Sequence, residues 1–423
     1  MGSTSTRRGF LAGLGAAGTA GYLSSAAAST RQLAPLLASA AAGESYWKLV
    51  QEQFPLRRGV IPMNAANLCP SPRVVAERVG ELTRDLDADV SFQNREKFAG
   101  TLEESRRKVA EQLGVSPEEI ALVRNTSEAN NVINNGLSLK PGDEVVLFDQ
   151  NHPTNNVAWE VRAARFGFTV RRVGAPHPAT GPDEIVKRFA GQLTPRTRVL
   201  AITQVSNSSG LRLPARELCG LARQRGIYTH VDGAQTWGCL RVNLREMGCD
   251  SYAASAHKWL MGPKEAGVLY VRRERIAELW PSIVAPGWGQ KVETEARGAR
   301  KFETLGQRDD ACLAAVGTAV DFHRLIEAER IEARVLELAT ALKQGLSTIR
   351  GARLVSPADP AMSGGVCVVE LAGADRNRLY QELYSKHGVA GATSGGLRLC
   401  PHIYNTMEDV ERAIRSVSEL RAA

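Results

Sequence analysis

Between Ile120 and Val271 the chain alternates short apolar runs with segments of helix length, and this alternation limits the fold more than any other feature. Repeated strand–helix alternation is typical of a mostly parallel sheet with helices on both faces. Seven strands are predicted: Ile120–Val123, Val145–Phe148, Thr169–Val173, Val199–Thr203, Tyr228–Val231, Tyr252–Ala254 and Val268–Val271. The helix-length segments include Thr126–Leu139, Asn155–Phe166, Pro182–Gly191 and Pro214–Arg225. Ligands bind at the carboxyl ends of the strands in such sheets, so functional side chains are expected there.

The length of the chain, 423 residues, allows two or three domains. A long helical segment begins after Asp309 and runs with breaks to about Ile349. We therefore predict a large α/β domain over residues 44–315 and a smaller C-terminal α/β domain over residues 316–423. The first part of the large domain, residues 44–70, is expected to pack on the small one.

Residues 1–43 have the composition of an export signal. The pair Arg7–Arg8 precedes an apolar run, rich in glycine and alanine, from Leu11 to Leu23. This order resembles a twin-arginine signal, so we expect a periplasmic or secreted protein. A membrane anchor is the alternative, although the run is shorter than the about 20 apolar residues of a spanning helix. A Gly-x-Gly-x-x-Gly match at residues 13–18 follows no strand, so it does not indicate a dinucleotide site.

Charge and cysteine content exclude other classes of protein. The formal net charge is +8, but the arginines are scattered along helices and no nucleic-acid-binding motif accompanies them. A solvated basic surface is expected, and attraction for acidic substrates or envelope surfaces is the alternative. The seven cysteines form no CxxC pair and no zinc spacing, so we predict no metal site, and their odd number argues against a full disulfide framework.

Two neighbouring predicted strands are followed by an acid and by a lysine. Asp232 ends the apolar run from Tyr228, and Lys258 follows the next strand, after His257 and before a turn at Gly262. A lysine amine can form a Schiff base with pyridoxal 5′-phosphate (PLP), and a carboxylate facing the pyridine nitrogen keeps the ring protonated and electron-withdrawing. Taken singly, such a lysine is usually a surface residue and such an aspartate is often a helix cap. They predict a PLP site as parts of a longer ordered series, which comprises Thr126–Ser127, His152, Asn207, Asp232, Gln235, Ser255, His257–Lys258 and Arg398.

The wider series of motifs resembles the class V aminotransferase family, which includes cysteine desulfurases and isopenicillin N epimerase-like enzymes. The resemblance runs from about Asn64 to the end of the chain. It implies PLP fold type I: a large domain with a mostly parallel seven-stranded sheet between helices, plus a smaller C-terminal α/β domain. It also implies that Lys258 forms the Schiff base and moves the proton of the substrate's alpha carbon, and that Asp232 pairs with the pyridine nitrogen.

The same resemblance assigns the remaining site residues. His152 would stack on the ring, and Gln235 would hydrogen-bond the ring hydroxyl. The phosphate would be held by Thr126, Ser127, Ser255 and His257. Arg398 would clamp the substrate's alpha-carboxylate, a task that suits a bidentate guanidinium, with Asn207 and Asn67 as further substrate contacts and Asn207 also near the ring hydroxyl.

The segment from Lys301 to Asp309 resembles a family loop that reaches the partner subunit's phosphate. Gln307 stands where a threonine is common, so a backbone contact would survive the change and a hydroxyl contact would not. The resemblance therefore implies a homodimer with a shared active site.

The lysine–aspartate pair does not choose among transamination, epimerisation and lyase chemistry, because all begin with loss of the alpha proton. Cysteine desulfurases need a nucleophilic cysteine just before the carboxylate-binding arginine. Here Gly391–Arg398 contains none, and Cys400 lies beyond the arginine. The loop is more similar to the isopenicillin N epimerase-like branch. The alternatives are a cysteine desulfurase or C–S lyase, and a non-catalytic protein of the same fold.

Overall fold

The computed structural model describes residues 43–176, 181–284 and 298–422, together with Pro35. Of residues 1–43, which contain the predicted export signal and the glycine motif at residues 13–18, only Pro35 and Gly43 are described. The interpretations of both features stay predictions. No helix among the described residues is both long enough and apolar enough to span a membrane.

The strands in chain order are β1 (Ile61–Pro62), β2 (Ile120–Val123), β3 (Glu144–Phe148), β4 (Thr169–Val173), β5 (Thr197–Thr203), β6 (Tyr228–Asp232), β7 (Ser251–Ser255), β8 (Gly267–Val271), β9 (Ala352–Leu354), β10 (Cys367–Leu371), β11 (Val389–Ala390) and β12 (Leu397–Leu399). The α-helices are α1 (Glu44–Gln51), α2 (Arg73–Ala88), α3 (Phe92–Leu113), α4 (Thr126–Gly136), α5 (Pro153–Phe166), α6 (Pro182–Gln192), α7 (Ala215–Gln224), α8 (Leu244–Met247), α9 (Asp310–Ile326), α10 (Ala328–Ser347), α11 (Arg376–His387) and α12 (Met407–Ala422).

Seven strands form one sheet in the order β2-β8-β7-β6-β5-β3-β4. The pairs from β7 to β4 are parallel, whereas β8 runs antiparallel to both β7 and β2. The predicted mostly parallel seven-stranded sheet is therefore confirmed. The antiparallel direction of β8 has a consequence for the site, because the connection from β7 must turn back at the carboxyl edge of the sheet. Lys258 lies in that connection.

Strands β3, β6, β7 and β8 are buried along their whole length because helices cover both faces of the sheet. Alternate residues of a strand point to opposite faces, and the core divides accordingly into two apolar clusters. One cluster contains Val146, Phe148, Leu200 and Ile202. The other contains Val145, Leu147, Val199 and Ala201.

A three-stranded antiparallel sheet, β12-β10-β9, forms in the C-terminal part of the chain. The N-terminal segment packs against this part: β1 pairs in parallel with β11, and the Gln51 amide donates to the Tyr404 carbonyl at 2.9 Å. These contacts connect the segment 44–70 to the C-terminal part of the chain, and its assignment to a domain stays a prediction. The predicted boundary at residues 315 and 316 falls inside α9, which packs on α2 and α3, so the exact division into domains stays a prediction.

The 22-residue helix α3 was not predicted. Few of its residues are apolar, and two of its buried residues are polar, Ser105 and Arg106. The Arg106 guanidinium bonds the Ile120 carbonyl at 2.8 Å and pairs with Glu303. In the sequence, only the capping residues indicate this helix. The Ser91 side chain accepts from the Asn94 backbone N–H at its start, and Gly114, in the left-handed conformation, ends it.

Candidate active site

The carboxyl ends of β5, β6 and β7 lie side by side and place the predicted site residues together. Thr203, Asp232 and Ala253 occupy one register across these strands. Asp232 is the last residue of β6, and Ser255 is the last residue of β7. Lys258 follows three residues later. The electrostatic influence of both Asp232 and Arg398 reaches Lys258, so the structure brings these three groups to one site.

Asp232 is buried, with 2% of its surface exposed, and each of its carboxylate oxygens receives one hydrogen bond. The Ala234 backbone N–H donates to Oδ1 at 3.0 Å, and Asn130 Nδ2 donates to Oδ2 at 3.0 Å. A carboxylate oxygen has two lone-pair sites. Asp232 therefore keeps acceptor capacity for a further donor such as a protonated pyridine nitrogen.

Lys258 is partly accessible, and its Nζ forms no hydrogen bond or ion pair among the described residues. Burial lowers the pKa of Lys258 most, Asp232 opposes that shift, and Arg398 reinforces it. A lowered pKa favours the neutral amine, which is the form that acts as nucleophile and base.

Two histidines hold the backbone next to Lys258: His402, which follows β12, and His323 in α9. His402 Nε2 donates to the Trp259 carbonyl at 2.8 Å, and His323 Nε2 contacts the Leu260 carbonyl at 2.9 Å. Met261 has a positive φ of 56°, a conformation that residues other than glycine adopt only when their surroundings impose it. The turn that carries the lysine is therefore fixed by tertiary contacts.

The residues predicted to hold the phosphate meet at the start of α4. Ser255 Oγ lies 2.8 Å from the Thr126 backbone N and 2.7 Å from Thr126 Oγ1. Ser127 is the next residue of the helix and is exposed. A helix N-terminus of this kind favours an anion because unpaired N–H groups and the helix dipole point at it.

His257 lies next to this group and carries an unsatisfied ring nitrogen. Its Nδ1 is buried and has no hydrogen-bond partner among the described residues. Burial, followed by the positive charge of Lys258, lowers the pKa of His257 to about 4. A buried polar atom without a partner is costly, so Nδ1 marks a position at which a bound group would contribute a hydrogen bond.

His152 is half-buried at the N-terminus of α5. Its Nδ1 accepts from the Thr154 backbone N–H at 3.3 Å and contacts Thr154 Oγ1 at 2.8 Å. Burial lowers the pKa of His152, Lys258 and Arg398 lower it further, and Asp232 opposes them. The lowered pKa favours the neutral ring, and the charges of all three groups act on it, as expected for an imidazole beside the cofactor.

Arg398 lies at the centre of β12 and is held by two oxygens. Its Nη1 donates to the Asn207 carbonyl at 3.0 Å, and its Nη2 donates to Asn64 Oδ1 at 3.1 Å. Its Nε is buried without a partner among the described residues. A guanidinium has five N–H groups in a rigid fork, so Arg398 keeps donors for a substrate carboxylate.

Asn207 and Ser394 lie beside this arginine, with Asn207 Nδ2 at 3.5 Å from Ser394 Oγ. Asn67, which we expected to contact substrate, is exposed, whereas the neighbouring Asn64 binds Arg398 directly. The role of Asn64 was not predicted. Its position in the extended loop before α2 was the only sequence signal.

Gln235 and Gln307 use their side chains on protein atoms. Gln235 Nε2 donates to the Ala66 carbonyl at 2.9 Å, and its Oε1 accepts from Trp259 Nε1 at 2.7 Å; one hydrogen of Nε2 remains for a ring hydroxyl. Gln307 is exposed, and its Oε1 accepts from Arg95 at 2.9 Å. It stays a predicted contact to a partner subunit.

These residues fit PLP. Two buried atoms without partners among the described residues, His257 Nδ1 and Arg398 Nε, belong to residues predicted to bind its phosphate and the substrate's carboxylate. The unpaired Lys258 amine and the acceptor capacity of Asp232 match the aldehyde and the pyridine nitrogen. Fold and site together define a PLP-dependent enzyme with a mostly parallel α/β large sheet.

The chain belongs to the aminotransferase class-V family, whose model matches residues 64–417. It is 34% identical to isopenicillin N epimerase of Amycolatopsis lactamdurans over 88% of this chain and 98% of that protein. It is 26% identical to a probable cysteine desulfurase of Methanothermobacter thermautotrophicus over 88% of this chain and 97% of that protein.

Among solved structures, the fold is similar to that of the cystine C–S lyase C-DES in complex with its reaction product, cysteine persulfide. The TM-score is 0.80 at 23% identity, over 87% of this chain and 99% of that one. The predicted family, cofactor and enzymatic nature are confirmed by these comparisons together. The individual roles assigned to the site residues stay predictions.

Proposed function

We propose that this enzyme removes and returns the alpha proton of an amino-acid-like substrate, and that its reaction is epimerisation. The observation that carries the proposal is the site itself: a lysine with a lowered pKa lies in one electrostatic group with Asp232 and the carboxylate-binding Arg398. The similarity to an isopenicillin N epimerase, higher than to the cysteine desulfurase, favours epimerisation among the possible outcomes.

Each residue has a defined task in this reaction. Arg398 binds the substrate carboxylate through its remaining N–H groups and so orients the alpha carbon. The neutral Lys258 amine would accept the alpha proton on one face of the alpha carbon, and epimerisation requires that a proton return to the opposite face. Asp232 would pair with the pyridine nitrogen of the cofactor, and His152 would stack on its ring. When bound, PLP withdraws the electron pair left on the alpha carbon.

The cysteines argue against desulfurase chemistry, which requires a reactive thiolate. All seven are buried and none is paired in a disulfide. Burial raises the pKa of Cys69 and of Cys367 to about 12 and also raises that of Cys400. Thiols in such surroundings are protonated and inert. The loop before Arg398 presents Ser394 beside Asn207 in place of a thiol.

The reaction is tested by incubating the PLP-loaded enzyme in D2O with a panel of amino acids, peptides and isopenicillin N. Proton NMR measures exchange at the alpha carbon, and chiral chromatography measures configuration. We expect deuterium incorporation with inversion for at least one substrate class. Lys258→Ala is expected to abolish both. The proposal fails if an active substrate gives an oxo acid, or sulfide or ammonia with pyruvate, and no inverted product.

C–S lyase activity is the second candidate function, because the fold is that of the cystine C–S lyase C-DES. A lyase of this kind needs no thiol of its own, so the buried cysteines do not oppose it. Cystine in the same panel separates the two candidates. Formation of pyruvate and a persulfide from cystine would assign the chain to lyase chemistry.

We also propose that the enzyme is exported in its folded, PLP-loaded state and acts in the cell envelope. The support is the arginine pair Arg7–Arg8 with the apolar run that follows it. A reporter fused after Ala42 is expected to leave the cytoplasm, and replacement of both arginines by lysine is expected to retain it. Export that is unchanged in the double variant would contradict the proposal.

We propose a homodimer with a shared active site, because the segment from Lys301 to Asp309 resembles a family loop that reaches the partner subunit's phosphate. Gln307 in this segment is exposed and could contact a second copy of the chain. Light scattering on the purified protein is expected to give twice the mass of the chain. Mixed dimers of Lys258→Ala and Gln307→Ala chains would then recover activity only if Gln307 acts on the partner's site. A monomer with full activity would refute the proposal.

A further inference from the structure

A directional chain of buried polar side chains ends on Asp232. His230 and Asp232 are alternate residues of β6 and so point to the same face of the sheet. Ser251 on β7 is the cross-strand partner of His230, and Asn130 projects from α4 towards both. The four side chains are almost fully buried: Ser251 and His230 at 0%, Asn130 at 1% and Asp232 at 2% exposure.

The contacts in this chain are all within hydrogen-bond distance. Ser251 Oγ lies 2.8 Å from His230 Nδ1, and His230 Nε2 lies 2.9 Å from Asn130 Oδ1. Asn130 Nδ2 lies 3.0 Å from Asp232 Oδ2. Of these four hydrogen-bonded residues, only Asp232 was predicted from the sequence to contribute to the site.

Donor and acceptor chemistry fixes the direction of every bond. An ionised carboxylate only accepts, so the Asn130 atom that faces Asp232 must be the amide nitrogen. The amide oxygen then faces His230 and can only accept, which requires a hydrogen on His230 Nε2. His230 is neutral, since burial lowers its pKa to about 4 and Asp232 is the one charged group that opposes this shift. Its Nδ1 therefore accepts from the Ser251 hydroxyl.

We propose that Asn130 and His230 are positioning residues that set the strength with which Asp232 pairs with the pyridine nitrogen of PLP. The chain Ser251 to His230 to Asn130 delivers one oriented N–H to Asp232 Oδ2. Oriented bonds of this kind polarise one another in a low-dielectric interior. They also prevent the Asn130 amide from rotating its oxygen towards the carboxylate, which would place two acceptors in contact.

The proposal is tested on the apoprotein and on the resting, PLP-loaded enzyme, without substrate. Asn130→Ala removes the donor that orients Asp232 and is expected to raise the dissociation constant of PLP about tenfold, because binding must then fix a carboxylate that Asn130 had held in place. His230→Leu leaves Asn130 Oδ1 without a donor and is expected to weaken PLP in the same direction. His230→Gln supplies both a donor and an acceptor and is expected to restore binding.

The visible absorption of the resting enzyme supplies a second measurement. A protonated pyridine nitrogen withdraws electrons and lowers the pKa of the nitrogen that links PLP to Lys258. Weaker pairing with Asp232 is therefore expected to raise the pH midpoint of the visible band in Asn130→Ala and His230→Leu. The double variant is expected to differ little from Asn130→Ala, because His230 acts through Asn130.

Thr229→Val is the matched control for loss of a buried polar group. Thr229 precedes His230 on β6, is also buried with 2% of its surface exposed, and bonds Asp250 at 3.2 Å instead of Asp232. It is expected to lower the free energy of unfolding and to leave the pH midpoint unchanged. The proposal is overturned if Asn130→Ala and His230→Leu shift PLP affinity and midpoint no more than Thr229→Val does, or if His230→Gln does not restore them.

Discussion

Replacing Arg398 by lysine keeps the positive charge of the substrate site and removes its fork of donors. Arg398 already uses one N–H on the Asn207 carbonyl and one on Asn64 Oδ1. Three of its five N–H groups therefore remain, including that of the buried Nε. Two of them suffice for a bidentate bond to a carboxylate.

The magnitude of the effect follows from this count. A lysine has three donors, and two of them would replace the contacts with Asn207 and Asn64. One donor would then remain for the substrate carboxylate in place of two. Loss of one charge-assisted hydrogen bond costs about 1.5–3 kcal/mol. We therefore expect kcat/KM of Arg398→Lys to fall about 10- to 150-fold.

The assay compares an amino-acid substrate with its alpha-carboxamide, which cannot accept the same bidentate charged contact. Alpha-proton exchange of the acid is expected to fall in Arg398→Lys, whereas the slower exchange of the amide is expected to change little. Arg353→Lys serves as control, because Arg353 is an exposed residue of β9 that pairs with Glu370, and surface pairs contribute little. Equal losses for acid and amide would refute the assigned role.

Three further predictions concern the loop, the phosphate site and acid stability. Gly395→Ala is expected to reduce kcat/KM more than tenfold with PLP binding unchanged, because Gly395 has a φ of +75° and an added Cβ would clash with the Ser208 carbonyl; unaltered kinetics would contradict this. Ser255→Ala is expected to weaken PLP about tenfold in equilibrium titrations, since its hydroxyl joins the Thr126 backbone and side chain, and unchanged affinity would contradict it. Acid stability depends on buried histidines whose pKa in the folded protein is below the ordinary value of 6.5. The unfolded chain therefore binds more protons than the folded one, and the free energy of unfolding falls as the pH drops from about 6.5 towards 4. Each histidine contributes a loss of about 1.4 kcal/mol per pH unit. Urea titrations across this range are expected to show that loss, and a flat profile would contradict it. The histidines concerned are His230, His323 and His402, with a pKa of about 4, 4 and 3.

Much of the large sheet could be predicted from the sequence because most of its strands are buried and contain short apolar runs, separated by segments of helix length. All seven lie within a few residues of their predicted positions. The short strands β1, β9, β11 and β12 could not be predicted in this way. Each has two or three residues and depends on pairing with distant segments, as β1 does with β11 across more than 320 residues.

The residues of the candidate site also fall into a group that the sequence predicts and a group that it does not. Residues that would touch the cofactor, such as Lys258 and Asp232, have their chemistry written into a local motif at a strand end. The residues that orient Lys258, Asp232 or Arg398 through hydrogen bonds have no such motif. Asn130 lies 102 positions from Asp232, and Asn64 lies 334 positions from Arg398. An asparagine in a helix or in a loop is ordinary, so its chemistry becomes visible only when the fold shows which charged group its amide faces.

This division has a physical origin in how the site is built. The charges that act on the cofactor and substrate come from Lys258, Asp232 and Arg398, whose types are dictated by the chemistry. The orientation of two of those charges comes from neutral amides and a neutral imidazole that satisfy buried lone pairs without adding charge. Several arrangements of neutral donors could serve equally well, so the supporting residues are set by this particular packing. Variation of Asn64, Asn130 and His230 therefore offers a route to tune the site while its reacting groups stay unchanged.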